Sequence, residues 1–230
     1  KLPYNIFFSS NSNMVKRKTR RRRKYSKRHK KKGGRRRRRR KTTKKIRITY
    51  NKKKWNKPFA LRKSHNCYTY FLNKQQKAPT TNCKKELASG KKNCTKPQPG
   101  NFAGYKKIKD KKNYTCSNLV ERILADNPNI YISDLNKDCG SDFYMGAVVV
   151  NPGQTYHFYR RDDNGKWSHK DGGRVISLVD ASGVEILDPK ISNRNYGPKR
   201  NYSDFCQYFC VPRENNKKNM KLKPRNNANK

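Results

Sequence analysis

Hydrophobic positions in the second half of the chain follow strand-like rather than helical patterns. Residues 146–150 (Gly-Ala-Val-Val-Val) form a continuous apolar run, which is typical of a buried strand, and residues 155–161 alternate in character. Turns rich in Pro, Gly and Asn separate these segments from one another. The pattern predicts an antiparallel meander with strands at 146–150, 155–161, 166–170 and 175–178, closed by an aromatic segment at 202–211.

Two earlier segments show helical character. Residues 67–73 (Cys-Tyr-Thr-Tyr-Phe-Leu-Asn) suit the first turns of a helix. Residues 117–125 carry apolar side chains at helical spacing, with Ser117 at the predicted N-cap and Glu121 close behind it. Two helices followed by an antiparallel meander predict an α+β fold.

Charge divides the chain into three predicted regions. The formal net charge is +45, and the first 66 residues hold 30 of the 60 Lys and Arg residues but no Asp or Glu. Such a block cannot bury a core. We therefore predict an extended polybasic arm at 1–62, a globular domain at 63–212 and a basic tail at 213–230. Within the domain, the polar residues 74–113 are predicted to form a long loop insertion.

The polybasic arm predicts a strongly negative partner. Its two basic clusters, 16–32 and 35–45, are separated by Gly33-Gly34, which indicates a flexible joint. Guanidinium groups form bidentate contacts with phosphate, so DNA is one candidate partner and the acidic surface of a protein assembly is the other. No sequence-reading module is recognisable, so nucleic-acid binding would be unspecific. A nuclear or nucleolar localisation signal is a further interpretation of such basic runs. The predicted binding residues are Arg20, Arg21, Arg22, Arg23, Lys24, Arg35, Arg36, Arg37, Arg38, Arg39 and Arg40.

The end of the arm is more apolar than the rest of it. Residues 46–50 alternate and could add a short strand to the sheet of a neighbouring protein, with Trp55, Phe59 and Leu61 as anchors. Alternatively, this segment docks the arm on its own domain. No apolar run approaches the roughly 18 residues that a membrane span requires, so none is expected.

The number of cysteines, seven, is odd, so they cannot all pair with one another. They fit either three disulfides with one functional thiol, in an oxidised particle, or seven buried thiols in a reducing compartment. No pair has the C-x-x-C spacing of a structural zinc site, and we expect neither a metal nor a cofactor. The cysteines are Cys67, Cys83, Cys94, Cys116, Cys139, Cys206 and Cys210.

One thiol and two imidazoles are candidates for chemistry. Cys67 begins a predicted helix, where unpaired backbone N–H groups stabilise a thiolate. His157 and His169 lie on two strands that the hairpin brings side by side, so one could act as base and the other could orient it. His65 is a competing base by its nearness in sequence. If the face that carries Phe158 is the buried one, however, His157 lies on the exposed side of its strand.

The order of these segments resembles that of the papain-like NlpC/P60 cysteine hydrolases. The similarity rests on Asn66-Cys67-Tyr68, the strand at 146–150, His157-Phe158-Tyr159-Arg160, and the segment 164–169 that ends in His169. It implies a papain-like fold in which Cys67 is the nucleophile, His157 the base and His169 the orienting group. Backbone N–H groups near Cys67 would then help to form an oxyanion hole. Ala147 stands where the family usually has an acid, and bulky Tyr68 follows the cysteine where a small residue is common.

The basic head and the Asn-, Lys- and Tyr-rich body are also similar in composition to small virion proteins of large nucleocytoplasmic (giant) DNA viruses. This resemblance implies a minor structural component at the inner face of a capsid, with capsid proteins, or DNA through the arm, as partners. An active cysteine peptidase or amidase that uses Cys67, His157 and His169 is the alternative, and a non-specific nucleic-acid-packaging protein is the second alternative.

Overall fold

The structure, a computed structural model, describes residues 46–213 of the 230-residue chain. Predictions about the basic residues of the arm up to residue 45, and about the tail from residue 214, lie outside the described residues. In the described part, the α-helices are α1 (Lys52–Asn56), α2 (Phe59–Ser64), α3 (Cys67–Phe71), α4 (Lys77–Ala88) and α5 (Cys116–Asp126), with a 3₁₀ turn at Lys111–Asn113. The strands are β1 (Tyr131–Ser133), β2 (Phe143–Asn151), β3 (Thr155–Arg161), β4 (Trp167–Lys170), β5 (Ile176–Ser177) and β6 (Asp204–Pro212).

The described strands form one six-stranded antiparallel sheet in the order β1-β6-β2-β3-β4-β5. The predicted meander is β2 to β5, and the aromatic closing segment returns as β6 beside β2. Helices with an antiparallel sheet confirm the predicted α+β class. Among the described helices, none is long and apolar enough to cross a membrane.

The sheet is covered on both faces. On the first, which we call the helical face, Tyr68 and Phe71 of α3 and Leu119 and Ile123 of α5 pack on the strands. On the second, which we call the loop face, the irregular segment 178–203 covers the strands with side chains such as Ile186, Tyr196 and Tyr202. Because both faces are covered, seven consecutive residues of β2 are buried. The continuous apolar run at 146–150 reflects this double burial.

A glycine lets α3 lie close to the sheet. A Cβ atom at Gly146 of β2 would lie 2.3 Å from Cε2 of Phe71, which is closer than two carbon atoms can approach. The Phe71 ring fills this space and also contacts Phe158 and Phe209, at centroid distances of 4.9 and 6.1 Å. Gly146 is therefore required by packing, since its own φ is not positive.

Three disulfides join the six cysteines other than Cys67. Cys116–Cys206 ties α5 to β6 on the helical face, and Cys139–Cys210 ties the segment before β2 to β6 on the loop face. A bulge in β6 makes this possible: Val148 pairs with Gln207 and Val149 with Phe205, so Cys206 is an extra residue and changes face. Without the bulge, Cys206 and Cys210 would lie on the same face.

The folded domain begins earlier than residue 63. Ile48 and Trp55 are fully buried, and the Ile48 N–H donates to Asp163 Oδ2 at 2.9 Å while the Asp163 N–H donates to the Ile48 carbonyl at 2.8 Å. The buried Arg160 guanidinium donates to the Thr49 carbonyl and to Asp162, and lies 3.9 Å from the Tyr70 ring centroid. Of the two alternatives for this segment, the structure shows docking on its own domain.

Two further details differ from the sequence prediction. The predicted loop insertion at 74–113 contains helix α4, which the Cys83–Cys94 disulfide fastens to the segment that follows it. Helix α5 is capped by Thr115, whose side chain accepts from the Asn118 N–H, and not by Ser117. Thr115 precedes the helix by one residue and therefore has the extended backbone that a capping side chain needs.

Candidate active site

The two histidines of the hairpin are joined by a hydrogen bond. His157 on β3 and His169 on β4 share the loop face, and His157 Nε2 lies 2.8 Å from His169 Nδ1. His169 Nε2 lies 3.0 Å from the Val179 carbonyl oxygen, which can only accept. Each side chain is buried, with 2% and 3% exposed, so His157 is not on a solvent-exposed face. The alternative in which only the Phe158 face is buried is wrong, because segment 178–203 covers the other face.

These contacts determine where the protons of the pair lie. Burial lowers the pKa of His157 well below its usual value, helped by His169 and Arg200, and burial also lowers the pKa of His169. Both rings are therefore neutral near pH 7. His169 donates from Nε2 to the Val179 carbonyl, so its Nδ1 accepts a hydrogen bond from the His157 Nε2–H. The proton-free nitrogen of His157 is then Nδ1, which is the state that a general base requires.

Aromatic rings enclose the histidine pair. Tyr202 stacks on His157 with ring centroids 5.2 Å apart, and Tyr196 lies 6.0 Å from His169. Tyr159 meets both imidazoles at 5.1 and 5.4 Å. Exclusion of water by these rings is the physical reason that the imidazoles stay neutral.

Cys67 begins helix α3, as the sequence predicts. Asn66 is the N-cap and forms a capping box with Thr69. In the described structure Cys67 is the cysteine outside a disulfide, and it is buried with 5% exposed. Burial raises the pKa of its thiol to about 12, although the backbone N–H groups of Tyr68 and Phe158 act in the opposite direction. Burial therefore opposes the thiolate stabilisation that is expected at a helix start.

Cys67 and His157 line one cleft of about 370 Å³. Cys67 lies at the start of α3 and His157 lies on β3. Among the described residues, no hydrogen bond joins the thiol to either imidazole. Two members of the predicted triad, Cys67 and His157, thus line one cleft, and the third, His169, orients the His157 imidazole through a hydrogen bond.

A buried lysine that the sequence reading did not single out holds this arrangement together. Lys170 follows His169 on β4, and its Nζ donates to the carbonyls of Arg62, His65 and Gly172 at 2.8, 2.7 and 2.7 Å. His65 precedes the Asn66–Cys67 pair, and Gly172 lines the cleft. Burial lowers the pKa of Lys170 to about 7, while three carbonyl acceptors suit the charged ammonium. Lys170 therefore joins the cysteine side of the cleft to the histidine side.

The competing histidine is fully engaged elsewhere. His65 Nε2 accepts from the Gln76 N–H at 3.0 Å, and its Nδ1 lies 3.0 Å from the Leu61 carbonyl and 2.9 Å from Ser64 Oγ. Neither ring nitrogen is left to act on Cys67. No group of three or more metal-ligating side chains occurs within residues 46–213.

A disulfide-stabilised α+β domain, in which a free thiol and one imidazole of a histidine pair line a common cleft, is the class that these observations define. No protein-family model and no solved structure matches the chain. The chain is similar to "Insoluble matrix shell protein 1" of Ruditapes philippinarum, with 46% identity over 74 residues, which are 32% of this chain. The match spans 46%, or about half, of the length of that protein.

Proposed function

We propose that the described domain is a papain-like thiol hydrolase, a peptidase or amidase of NlpC/P60 type, that acts in an oxidising compartment. The observation that carries the proposal is the hydrogen-bonded series from the Val179 carbonyl through His169 to His157, which leaves Nδ1 as the proton-free nitrogen of a histidine that lines the cleft of the free thiol. Three disulfides support the compartment, since such bonds are rare in reducing cytosol.

The reaction follows from the neutral state of the pair. Cys67 Sγ attacks the acyl carbon as His157 Nδ1 takes the thiol proton, and that proton then passes to the leaving nitrogen as the C–N bond breaks. Water next attacks the thioester, the C–S bond breaks, and the water proton returns through His157 to Sγ. His169 holds the His157 ring in the required tautomer throughout, which is the role of an orienting group.

Selective alkylation of the full chain tests the proposal. We expect iodoacetamide to modify Cys67 in the native protein, because the other six cysteines are in disulfides, and the rate to rise with pH above 7 since the thiol pKa is near 12. His157→Gln should slow alkylation at least about tenfold, and Cys67→Ala should abolish turnover of peptide substrates. His29→Gln, in the basic segment outside the described residues, is the matched control.

Retention of peptide turnover by Cys67→Ala would overturn the proposal. A rate of alkylation that is constant from pH 5 upwards would instead indicate a preformed thiolate–imidazolium pair and contradict the neutral state.

A structural role is the second candidate. It is favoured by the partial similarity to a protein whose name places it in an insoluble matrix, and by the burial of Cys67. In this role the histidine pair and the disulfides stabilise a scaffold, and the basic arm binds an acidic partner. Native protein that is unreactive towards iodoacetamide, but labelled once in urea, would favour the scaffold.

The minor-capsid role, the location within a virion and the packaging of nucleic acid stay predictions that rest on the composition of the chain. The nucleic-acid prediction is tested by measuring DNA binding. Binding should fall steeply with salt and disappear on removal of residues 16–45.

A further inference from the structure

We propose that the mouth of the Cys67 cleft is an anion subsite formed by Lys96 and Lys107, so that the substrate is an acidic peptide with a carboxylate next to the bond that is cleaved. This inference rests on the proposed hydrolase function and names its substrate class.

The charge of the cleft lining supports the subsite. Its basic residues are Lys96, Lys107 and Arg200, and its acidic residue is Asp171. Asp171 is engaged by the guanidinium groups of both Arg200 and Arg174. Within the described part of the chain, no carboxylate lies within ion-pair distance of Lys96 or Lys107. The lining therefore has a positive excess, which attracts and concentrates anions in a cleft with low-dielectric walls.

Hydrogen bonds hold the two lysines beside the nucleophile. Asn66, which precedes Cys67, donates from Nδ2 to the carbonyl of Pro97 at 2.7 Å and so fixes the segment that follows Lys96. Gln98 Oε1 accepts from the Ile108 N–H at 2.8 Å, which joins this segment to the residue after Lys107. Asn66 thus positions the segment that carries Lys96, and Gln98 joins that segment to the one that carries Lys107.

The state of Lys96 agrees with a site prepared for an anion. Its side chain is half-buried and Nζ donates to the Cys94 carbonyl at 3.1 Å. Burial lowers the pKa of Lys96, and the charges of Lys63 and Lys107 add to that lowering while the Glu86 carboxylate opposes it. Like charges that are partly removed from water repel one another, and a bound carboxylate relieves that repulsion. Lys107 remains exposed and is able to reach the ligand from solvent.

Two alkylating reagents of nearly equal size test the subsite: iodoacetate, which carries a carboxylate, and iodoacetamide, which is neutral. The measured quantity is the rate of Cys67 modification by iodoacetate divided by the rate with iodoacetamide. We expect this ratio to fall about three- to tenfold in Lys96→Gln and in Lys107→Gln, and to fall similarly for the wild type in about 0.5 M NaCl. Lys137→Gln, an exposed lysine at a different cavity, is the matched control and should leave the ratio unchanged. Peptides with Glu beside the cleaved bond should likewise have a higher kcat/KM than those with Gln, and lose that advantage in Lys107→Gln.

The outcomes separate the two proposals. Normal reaction with iodoacetamide, together with a rate ratio that neither lysine nor salt changes, would overturn the anion subsite and leave the hydrolase intact. A native protein in which neither reagent modifies Cys67 overturns the hydrolase and the subsite together. Because Lys107 is exposed, Lys107→Gln should fold even if the half-buried Lys96 does not tolerate replacement.

Discussion

The helical face and the loop face of the sheet are both buried but are built differently, and the helical face carries the larger apolar cluster. On the helical face, α3 and α5 pack aromatic and aliphatic residues on the strands, and Gly146 admits the Phe71 ring. On the loop face, an irregular segment covers the strands, and two histidines lie among the tyrosines. Regular elements therefore supply the apolar core, while the irregular cover surrounds the polar groups that could perform chemistry.

This difference indicates how the cleft is assembled. Cys67 belongs to the helical face and the histidine pair to the loop face, and the two sets meet where the ends of α3 and β3 line the same cavity. A site built in this way depends on the position of one face relative to the other. Lys170 joins β4 to the segment before α3, and Cys206 and Cys210 fasten β6 to a segment on each face, so perturbing them should reveal how tightly these segments are held.

The largest effect should come from removal of the disulfides. Their loops span 90 residues for Cys116–Cys206, 71 for Cys139–Cys210 and 11 for Cys83–Cys94. The chain-entropy relation then gives about 4.5 kcal/mol for each long loop and about 2.8 kcal/mol for the short one. Urea unfolding of the three paired Cys→Ala variants measures these losses. A Cys139/Cys210 variant as stable as wild type would show that the loop face is not fastened by its disulfide.

The next largest effect should come from Lys170→Met. Three carbonyls, those of Arg62, His65 and Gly172, would lose their donor, at a cost of about 3 kcal/mol after the gain from no longer burying an amine. The loss is measured by urea unfolding. Lys166→Met, in the same hairpin, removes an exposed pair with Glu185 and should cost less than about 0.5 kcal/mol. Equal losses in the two variants would contradict the connecting role of Lys170.

Gly146→Ala tests the close packing of the helical face alone. The new methyl group would collide with the Phe71 ring, and we expect a loss of about 2 kcal/mol, measured by urea unfolding. Phe71→Leu should restore part of this loss in the double variant, since a smaller side chain makes room. If the stability losses of the two single variants simply add in the double variant, the ring is not the obstacle.

The smallest effect should be a pH dependence that belongs to the loop face. The folded-state pKa of His157 lies below its unfolded value near 6.5, so the unfolded state binds the extra proton and stability falls as pH decreases below about 6.5. Between about pH 7.5 and 5.5 the loss should be about 1.4 kcal/mol for His157, and His169 adds to it in the same direction. In His157→Gln/His169→Gln the dependence should shrink to that of the remaining groups. An unchanged pH profile in that variant would mean that the imidazoles take up protons at the same pH in the native and the unfolded state.

Sequence by itself determined the features that depend on neighbouring residues. The period-two pattern located β3 at Thr155–Arg161, and the helical start at Cys67 and the α+β class followed from local spacing. The apolar pattern did not predict α4. This helix buries only Cys83 and carries Pro79 in its first turn, so its sequence has no apolar stripe. The candidate triad follows from order along the chain; in the structure Cys67 and His157 line one cleft, and His169 contacts His157 from β4.

Only the tertiary structure decided the features that depend on distant residues. The β6 bulge sends Cys206 and Cys210 to opposite faces, and no local pattern specifies which strand will carry an extra residue. The proton positions of His157 and His169 depend on the Val179 carbonyl, which a loop delivers from outside the hairpin strands. Lys170 reads as one more surface cation in a chain with 60 Lys and Arg residues, and only its burial beside three carbonyls distinguishes it. Burial and hydrogen bonding, rather than residue type, assign these side chains their roles.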